Sequence, residues 1–470
     1  MASSTLARRA RMSATAAAIA ELKDDPRTAY AYVPLRLDDD AIPMIALVTR
    51  DEQARCCPAC GVRSEHPHGW VRTRPRDLPV AGRFTSLTWT KRRWQCRRTD
   101  CPRRTFTEAL PQIPSRARLT GRLRASAGAA VADRGRTVLQ SARDHEISWP
   151  IAHAAFAAHA AAALPARVPS VEHLGIDETR RGKAKFRLVP GPDGGEVWEM
   201  VADRWHVGMV DLAGGAGLLG QVEGRTAASV SAWIEAQSLE WRRGVRVVAI
   251  DMCTVLKAAV RDSLPHAMLV VDRFHVAQLA NTALTEVRRR VTVQVRGRRG
   301  RKGNREWELR NRLTRSAARM HADHLDPMVE DLTALPKKIG VPILAAWNVK
   351  EDLMDLLALH GTRPGRAEVY DRLVKFYQSA AASGLPEMER LATTVSTWWP
   401  QILAAITTGV TNAASEGVNR LIKTDARCAF GYRNPANQRL RARCATTRRA
   451  RGHLSRHTSG RHSQPRRSTS

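Results

Sequence analysis

Hydrophobic positions change their period several times along this chain, and the changes outline its elements. Between residues 169 and 290, LGID (174–177), WHVGMVDL (205–212) and LLGQVEG (218–224) are short apolar runs closed by acids or turn residues, which predicts strands. TAASVSAWIEAQ then spaces its apolar residues by three and four, predicting a helix, before VRVVAID (245–251) returns to a strand. The next helix, MCTVLKAAVRDSL, leads to AMLVVD (267–272), again strand-like. Three strands, helix, strand, helix, strand is the order of a mixed α/β sheet with helices packed on it.

The flanking segments read differently. Residues 45–112 carry alternating stretches such as RFTSLTWTKRRWQC, which predict short strands, and 113–168 are helical. Within the latter, GRTVLQSARDHEISWPIAHAAFAAHA has the layout of a helix-turn-helix. Val138 to His145 form the first helix and 146–148 the turn; Ser148 caps the second, with Pro150 in its first turn. That second helix is mostly alanine, with His153 and His159 but none of the Arg, Lys, Asn or Gln that base readout uses. Residues 291–400 are basic and then helical, and 401–444 contain the amphipathic stretch NAASEGVNRLIK. Residues 1–44 are an N-terminal extension without an assignable motif. Arg8 and Arg9 precede a short apolar run broken by Glu21, read as an ordinary helix or disordered lead rather than an export signal. The tail, 445–470, is rich in Arg and His, lacks acids and reads as disordered.

Charge narrows the partners. The chain of 470 residues carries 76 Lys and Arg against 45 Asp and Glu, a formal +31, which favours a polyanion. Nucleic acid fits better than a membrane, because no apolar run approaches the roughly 18 residues a span needs. The eight cysteines do not form the pattern of a secreted disulfide scaffold, so the cytoplasm is the expected compartment. Arg298, Arg299 and Arg301 lie in an arginine-dense stretch suited to phosphate contact without base readout.

Four of the cysteines are paired in sequence: Cys57-x2-Cys60 and Cys96-x4-Cys101, separated by the strand-like stretch. Two short pairs on turns flanking a hairpin can hold Zn²⁺ tetrahedrally in a closed, structural site. Cys56 in place of Cys57, or His66 or His68 in place of a thiolate, are rival ligands.

Two predicted strands, LGID and VRVVAID, end in Asp177 and Asp251. If they are neighbours, their carboxylates meet at one sheet edge, where they repel unless protonated or bridged by a hard cation such as Mg²⁺. In NAASEGVNRLIK, Asn412, Glu416, Asn419 and Lys423 fall on one narrow helical stripe. A helix laid across the edge brings Glu416 as a third carboxylate, and three carboxylates holding two divalent ions suit in-line attack on a phosphodiester. Lys423, Arg427 and Arg433 would then follow the DNA backbone. The competing reading is that the aspartates cap helices and Glu416 pairs with Arg420 or Lys423. Asp272, closing AMLVVD, is the alternative second acid. It comes one helix later and should lie farther out, with Arg273 and His275 as structural partners, so Asp251 is preferred.

Taken together, CPACGVRS, RDLPVAG, RRWQC with CPRRTFTE, GRTVLQSARDHEISWP, LGIDE, VVAIDM, LVVDRFHVAQLAN, LTEVRRR and NAASEGVNRLIKTDARCAFGYRN resemble the DDE transposases of the ISL-three family of bacterial insertion sequences. The resemblance spans about residues 45–452. It implies an α/β RNase H-like catalytic core, in parts at 169–290 and 401–444, interrupted by a helical insertion at 291–400. A zinc-ribbon-like module (45–112) and a helix-turn-helix (113–168) precede it. It also implies that the acid triad falls on Asp177, Asp251 and Glu416, with Mg²⁺ or Mn²⁺ as catalytic metal and Zn²⁺ as structural metal. The expected activity is recognition of terminal inverted repeats in double-stranded DNA, cleavage at the element's ends and strand transfer into target DNA. The chain would act as a homodimer or higher oligomer in the cytoplasm, at the bacterial nucleoid. The rivals are a zinc-containing DNA-binding regulator without catalysis and a structure-specific nuclease on the same core.

Overall fold

The computed structural model describes residues 33–34, 44–47, 49, 51–79, 86–202, 204–213 and 215–453. The N-terminal lead and residues 454–470 of the basic tail lie outside them. The chain forms two compact units, Met1–Pro165 and Ala166–Ser470.

The first unit is built on a five-stranded sheet: β1 (Val33–Pro34), β2 (Met44–Leu47), β3 (Pro67–Thr73), β4 (Ser86–Gln95) and β5 (Thr105–Thr107). β4 lies between β2, to which it is parallel, and β3, to which it is antiparallel, and it also pairs with β5. Its alternation buries Leu87 and Trp89 against Leu47, Leu110 and Ile113. Three helices follow, Gly121–Ala132, Val138–Asp144 and Trp149–Ala163. Thr120 caps the first through Leu123 N, and Thr137 with Gln140 forms a capping box on the second. The alanine content of the third helix has a packing cause. A Cβ at Gly128 would come 2.5 Å from Ala155 O, so the first and third helices meet almost backbone to backbone over Ala152, Ala155 and Ala160. His159 is held by Asp133 at 2.7 Å, and His153 stacks on Trp149.

The second unit contains the predicted mixed sheet. β6 (His173–Arg180), β9 (Trp205–Asp211) and β10 (Leu218–Glu223) form an antiparallel meander, while β11 (Val247–Ile250) and β12 (Met268–Val271) run parallel to β6. The sheet order is β10-β9-β6-β11-β12, so β6 and β11 are direct neighbours and β12 lies one strand farther out. Helices Ala227–Glu235, Leu239–Gly244 and Thr254–Ser263 provide the crossovers. A hairpin of β7 (Lys185–Pro190) and β8 (Glu196–Ala202), absent from the sequence expectation, extends between β6 and β9 with mostly exposed side chains.

The helix Arg273–Arg296 runs unbroken across the expected start of the helical segment at 291, and Trp399–Thr408 runs across its expected end at 400. Helices Ala322–Ala334, Lys337–Ala358, Arg366–Ser383 and Pro386–Thr397 lie between them and share one continuous apolar core with the sheet. Helices Ala413–Cys428 and Pro435–Thr446 then return to the sheet, covering Val210 and Leu218 with Val418, Ile422 and Ala442.

Candidate active site

The cysteine pairs converge. Cys57 Sγ lies 3.8 Å from Cys101 Sγ and Cys60 Sγ 3.6 Å from Cys96 Sγ. A tetrahedron of Zn–S bonds of about 2.3 Å has edges of about 3.8 Å, so the four sulfurs fit zinc. Among the described residues they are the one group of three or more His, Cys, Asp or Glu ligand atoms lying within 4.8 Å of one another. Burial opposes ionisation of Cys57, but the N–H groups of Ala59 and Cys60 and the neighbouring thiols bring it down to about 7. Cys56 is outside the group, and His68 Nδ1 is engaged with Gln95 Nε2 at 3.2 Å.

In the second unit, β6 and β11 run side by side from Val247 opposite His173 to Ile250 opposite Ile176, so Asp177 and Asp251 emerge next to each other. Both line a cleft of about 490 Å³ together with Glu178, Trp205, His275 and Gln278. Burial, then the charge of Asp251, push Asp177 up to about 7. His275 Nε2 lies 2.9 Å from Asp251 Oδ1, and that hydrogen bond raises the imidazole above its ordinary value.

The helix Ala413–Cys428 clasps this pair from above. Asn419 Nδ2 donates to Asp177 Oδ2 at 2.7 Å, and Asn419 Oδ1 accepts from Thr179 Oγ1. Asn412 Nδ2 reaches Asp251 Oδ1 at 3.5 Å and Ile176 O at 3.4 Å, both at the outer limit of a hydrogen bond. The glycine of LGID is required for this approach: a Cβ at Gly175 would collide with Ser415 Oγ and sit 2.8 Å from Asn412 Oδ1.

Glu416 lies in the first turn of the same helix, between the two asparagines in sequence. Its Oε1 accepts from Arg420 Nη2 at 2.7 Å, and its side chain is 49% exposed. The carboxylate that lines the cleft beside the two aspartates is Glu178, with Cys253 Sγ donating to its Oε1 at 3.7 Å.

Asp272 is placed otherwise. It caps the helix Arg273–Arg296 by accepting from Phe274 N at 2.9 Å, and its Oδ2 accepts from Asn412 N at 3.0 Å. The expectation that His275 holds Asp272 is corrected, because the His275 ring reaches Asp251 at the end of β11 instead. Lys423, Arg427, Arg433, Arg298, Arg299 and Arg301 are all exposed. In the same basic stretch Arg441 is instead buried on Asp425 at 2.7 Å. His275, Asn412 and Asn419 are the site residues that sequence reasoning passed over. The stripe carrying both amides was visible, but the partners they meet were not.

A zinc-finger family of the transposases of IS204, IS1001, IS1096 and IS1165 matches residues 53–101, the segment holding all four converging cysteines, and with that cluster it supports a structural zinc. The transposase for insertion sequence element IS1001 of Bordetella parapertussis is 26% identical over 399 residues, which cover 83% of this chain and 88% of that protein. A transposase family of the DDE type matches residues 174–442, from the strand bearing Asp177 to the last helix. That match takes in more than half of the chain, which therefore belongs to the ISL-three family of DDE transposases.

Proposed function

We propose that the chain binds the terminal inverted repeats of its insertion sequence, cleaves the DNA at the element's ends and joins the freed 3′-hydroxyls to target DNA. The observation that carries this reading is the pairing of Asp177 with Asp251, where β11 stops and the parallel β6 runs on to Arg180, beneath a helix whose N-cap and first turns bond to both. A meander of three strands continued by two parallel ones supports an RNase H-like core. The paired helices Val138–Asp144 and Trp149–Ala163, joined by a tight turn with Glu146 at φ 45°, support a helix-turn-helix. With the zinc module it would recognise the ends.

Asp177 and Asp251 are hard oxygen donors in a partly buried site that disfavours two adjacent negative charges, so the residues present fit Mg²⁺ or Mn²⁺. Glu416 is the third ligand in this reading. Its side chain leaves Arg420 at little cost, since an exposed pair of this kind contributes about 0.3–0.5 kcal/mol. When bound, the divalent ions supply Lewis-acid activation of the attacking oxygen and charge relief at the leaving one. The protein's own part is to fix the carboxylates: Asn419 orients Asp177, while Asn412 and His275 orient Asp251. Lys423, Arg427, Arg433, Arg298, Arg299 and Arg301 contact backbone phosphates. Pairing two ends calls for at least a dimer, acting in the cytoplasm at the nucleoid.

The test is incubation of the full chain with duplex DNA carrying the element's ends, with and without Mg²⁺, scored for nicking and joining. Metal-dependent nicking and joining are expected. Binding without nicking would instead identify a regulator, and nicking without joining a structure-specific nuclease.

A further inference from the structure

A second cleft, of about 680 Å³, opens where the C-terminal half of the helix Arg273–Arg296 meets the loop at 297–304 and Trp307. Its lining includes five arginines, Arg288, Arg289, Arg290, Arg299 and Arg310, and no acid. The neighbouring carboxylates are committed elsewhere. Glu306, fully buried, grips Arg296 at 2.6 and 3.1 Å, and Glu387 grips Arg290 at 2.6 and 2.9 Å. Arg310 stands over the Trp307 ring, its Cζ 3.6 Å from the centroid.

Arg288 stands out. Only 6% of it is exposed, and among the described residues no carboxylate lies within ion-pair distance of its guanidinium; Glu306, whose charge favours it from farther off, is held by Arg296. Burying a guanidinium is costly, and the group cannot shed its charge as a lysine can. Unpaired buried arginines are therefore rare unless an anion completes them. Arg289 and Arg299, both exposed, form the rim above it, and Gln294 adds an amide to the lining.

We propose that this cleft is a built site for a phosphate group, with Arg288 as its floor and Arg289 and Arg299 as its rim. Phosphate oxygens match the forked donors of arginine and supply the missing charge. Two sources share that chemistry, the backbone of a DNA strand and a free phosphate or nucleotide. The strand is the source we assign, and that assignment, unlike the site itself, rests on the DNA-binding function proposed above.

Two measurements on the full chain decide it. Calorimetry with inorganic phosphate at constant ionic strength reads the site alone. Affinity for a random-sequence duplex across a salt series reads the strand. For Arg288→Met and Arg299→Gln, phosphate binding should be lost, and the slope of log affinity against log salt should fall by about 1 in each. The melting temperature of Arg288→Met should stay level or rise, since a largely buried charge without an ion-pair partner has been removed. Loss of phosphate binding with an unchanged slope would keep the site but move its source to a free phosphate or nucleotide. A wild-type chain that binds phosphate but no duplex would remove the DNA function while sparing the site. Unchanged phosphate binding in both variants, or a destabilised Arg288→Met, overturns the proposal, since Arg288 is then structural.

Discussion

Asn419 donates from Nδ2 to Asp177 Oδ2 at 2.7 Å, joining residues 242 positions apart. Its other amide atom accepts from the buried Thr179 hydroxyl, so one side chain fixes both the direction of a carboxylate and the seat of a helix on the sheet. Asn419→Ala leaves that hydroxyl unpaired and should cost about 1–3 kcal/mol in denaturant unfolding. Asn419→Asp sets a like charge against Asp177. Its deficit should be larger at pH 8 than at pH 5, where protonation relieves the repulsion. Equal deficits at both values would show that the amide does not govern the carboxylate.

The cleft makes a prediction about pH. Asp177 is pushed up to about 7 and His275 is also raised, so both hold protons in the folded chain longer than in the unfolded one. Stability from such groups is fully present below their unfolded values and is lost as pH rises through the folded ones. For Asp177 that window runs from about 4 to 7. In the absence of divalent ions, wild type should lose melting temperature across it relative to Asp177→Asn. Mg²⁺ added at pH 8 should restore wild type and leave Asp177→Asn unmoved. A difference between the two proteins that is flat from about pH 4 to 8 would contradict this.

Which acids hold the metal is open to direct assay. Asp251→Asn should abolish Mg²⁺-dependent cleavage while the core stays folded. Asp272→Asn should mainly lower stability, because Asp272 caps a helix and receives Asn412 N. Glu416→Gln should keep end binding but lose cleavage and joining, whereas Arg420→Ala, which frees Glu416, should retain both. Glu178→Gln is the control, since Glu178 shares the cleft with the aspartates. An active Glu416→Gln beside an inactive Glu178→Gln would transfer the third role to Glu178.

The cysteine cluster predicts one bound zinc per chain. Replacing Cys60 or Cys96 by Ser should remove it and unfold the first unit, seen as loss of metal by elemental analysis and of the buried Trp89 and Trp94 fluorescence signature. Wild-type protein free of zinc and still folded there would end this reading.

Much of this was legible because strands buried on both faces read as continuous apolar runs. LGID and VRVVAID therefore appeared as strands, while their adjacency stayed a condition that the sheet order meets. Lys185–Pro190 and Glu196–Ala202 were passed over because their side chains are mostly exposed and pack on no core, although the turn PGPDGG between them was a signal. The alanine-rich helix looked unsuited to base readout, and its packing role emerged only where Gly128 meets Ala155, a contact between segments that no local pattern reports. The same limit hid the amides. Asn412 and Asn419 sat on a visible stripe, but what an asparagine bonds to more than 160 residues away is a matter of topology.

The order of synthesis gives the clasp on the acid pair a further meaning. Both aspartates are in the chain by residue 251, while the amides that seat them are added only at 412 and 419. Until then Val210 and Leu218 lack the cover of Val418, Ile422 and Ala442. A message broken anywhere between those codons yields a chain with an open apolar sheet face and carboxylates without the amides that aim them. Such a product is a substrate for proteases or an aggregate, and not a weaker version of the whole protein. Lesions near the 3′ end of the gene should therefore silence it as completely as loss of either aspartate.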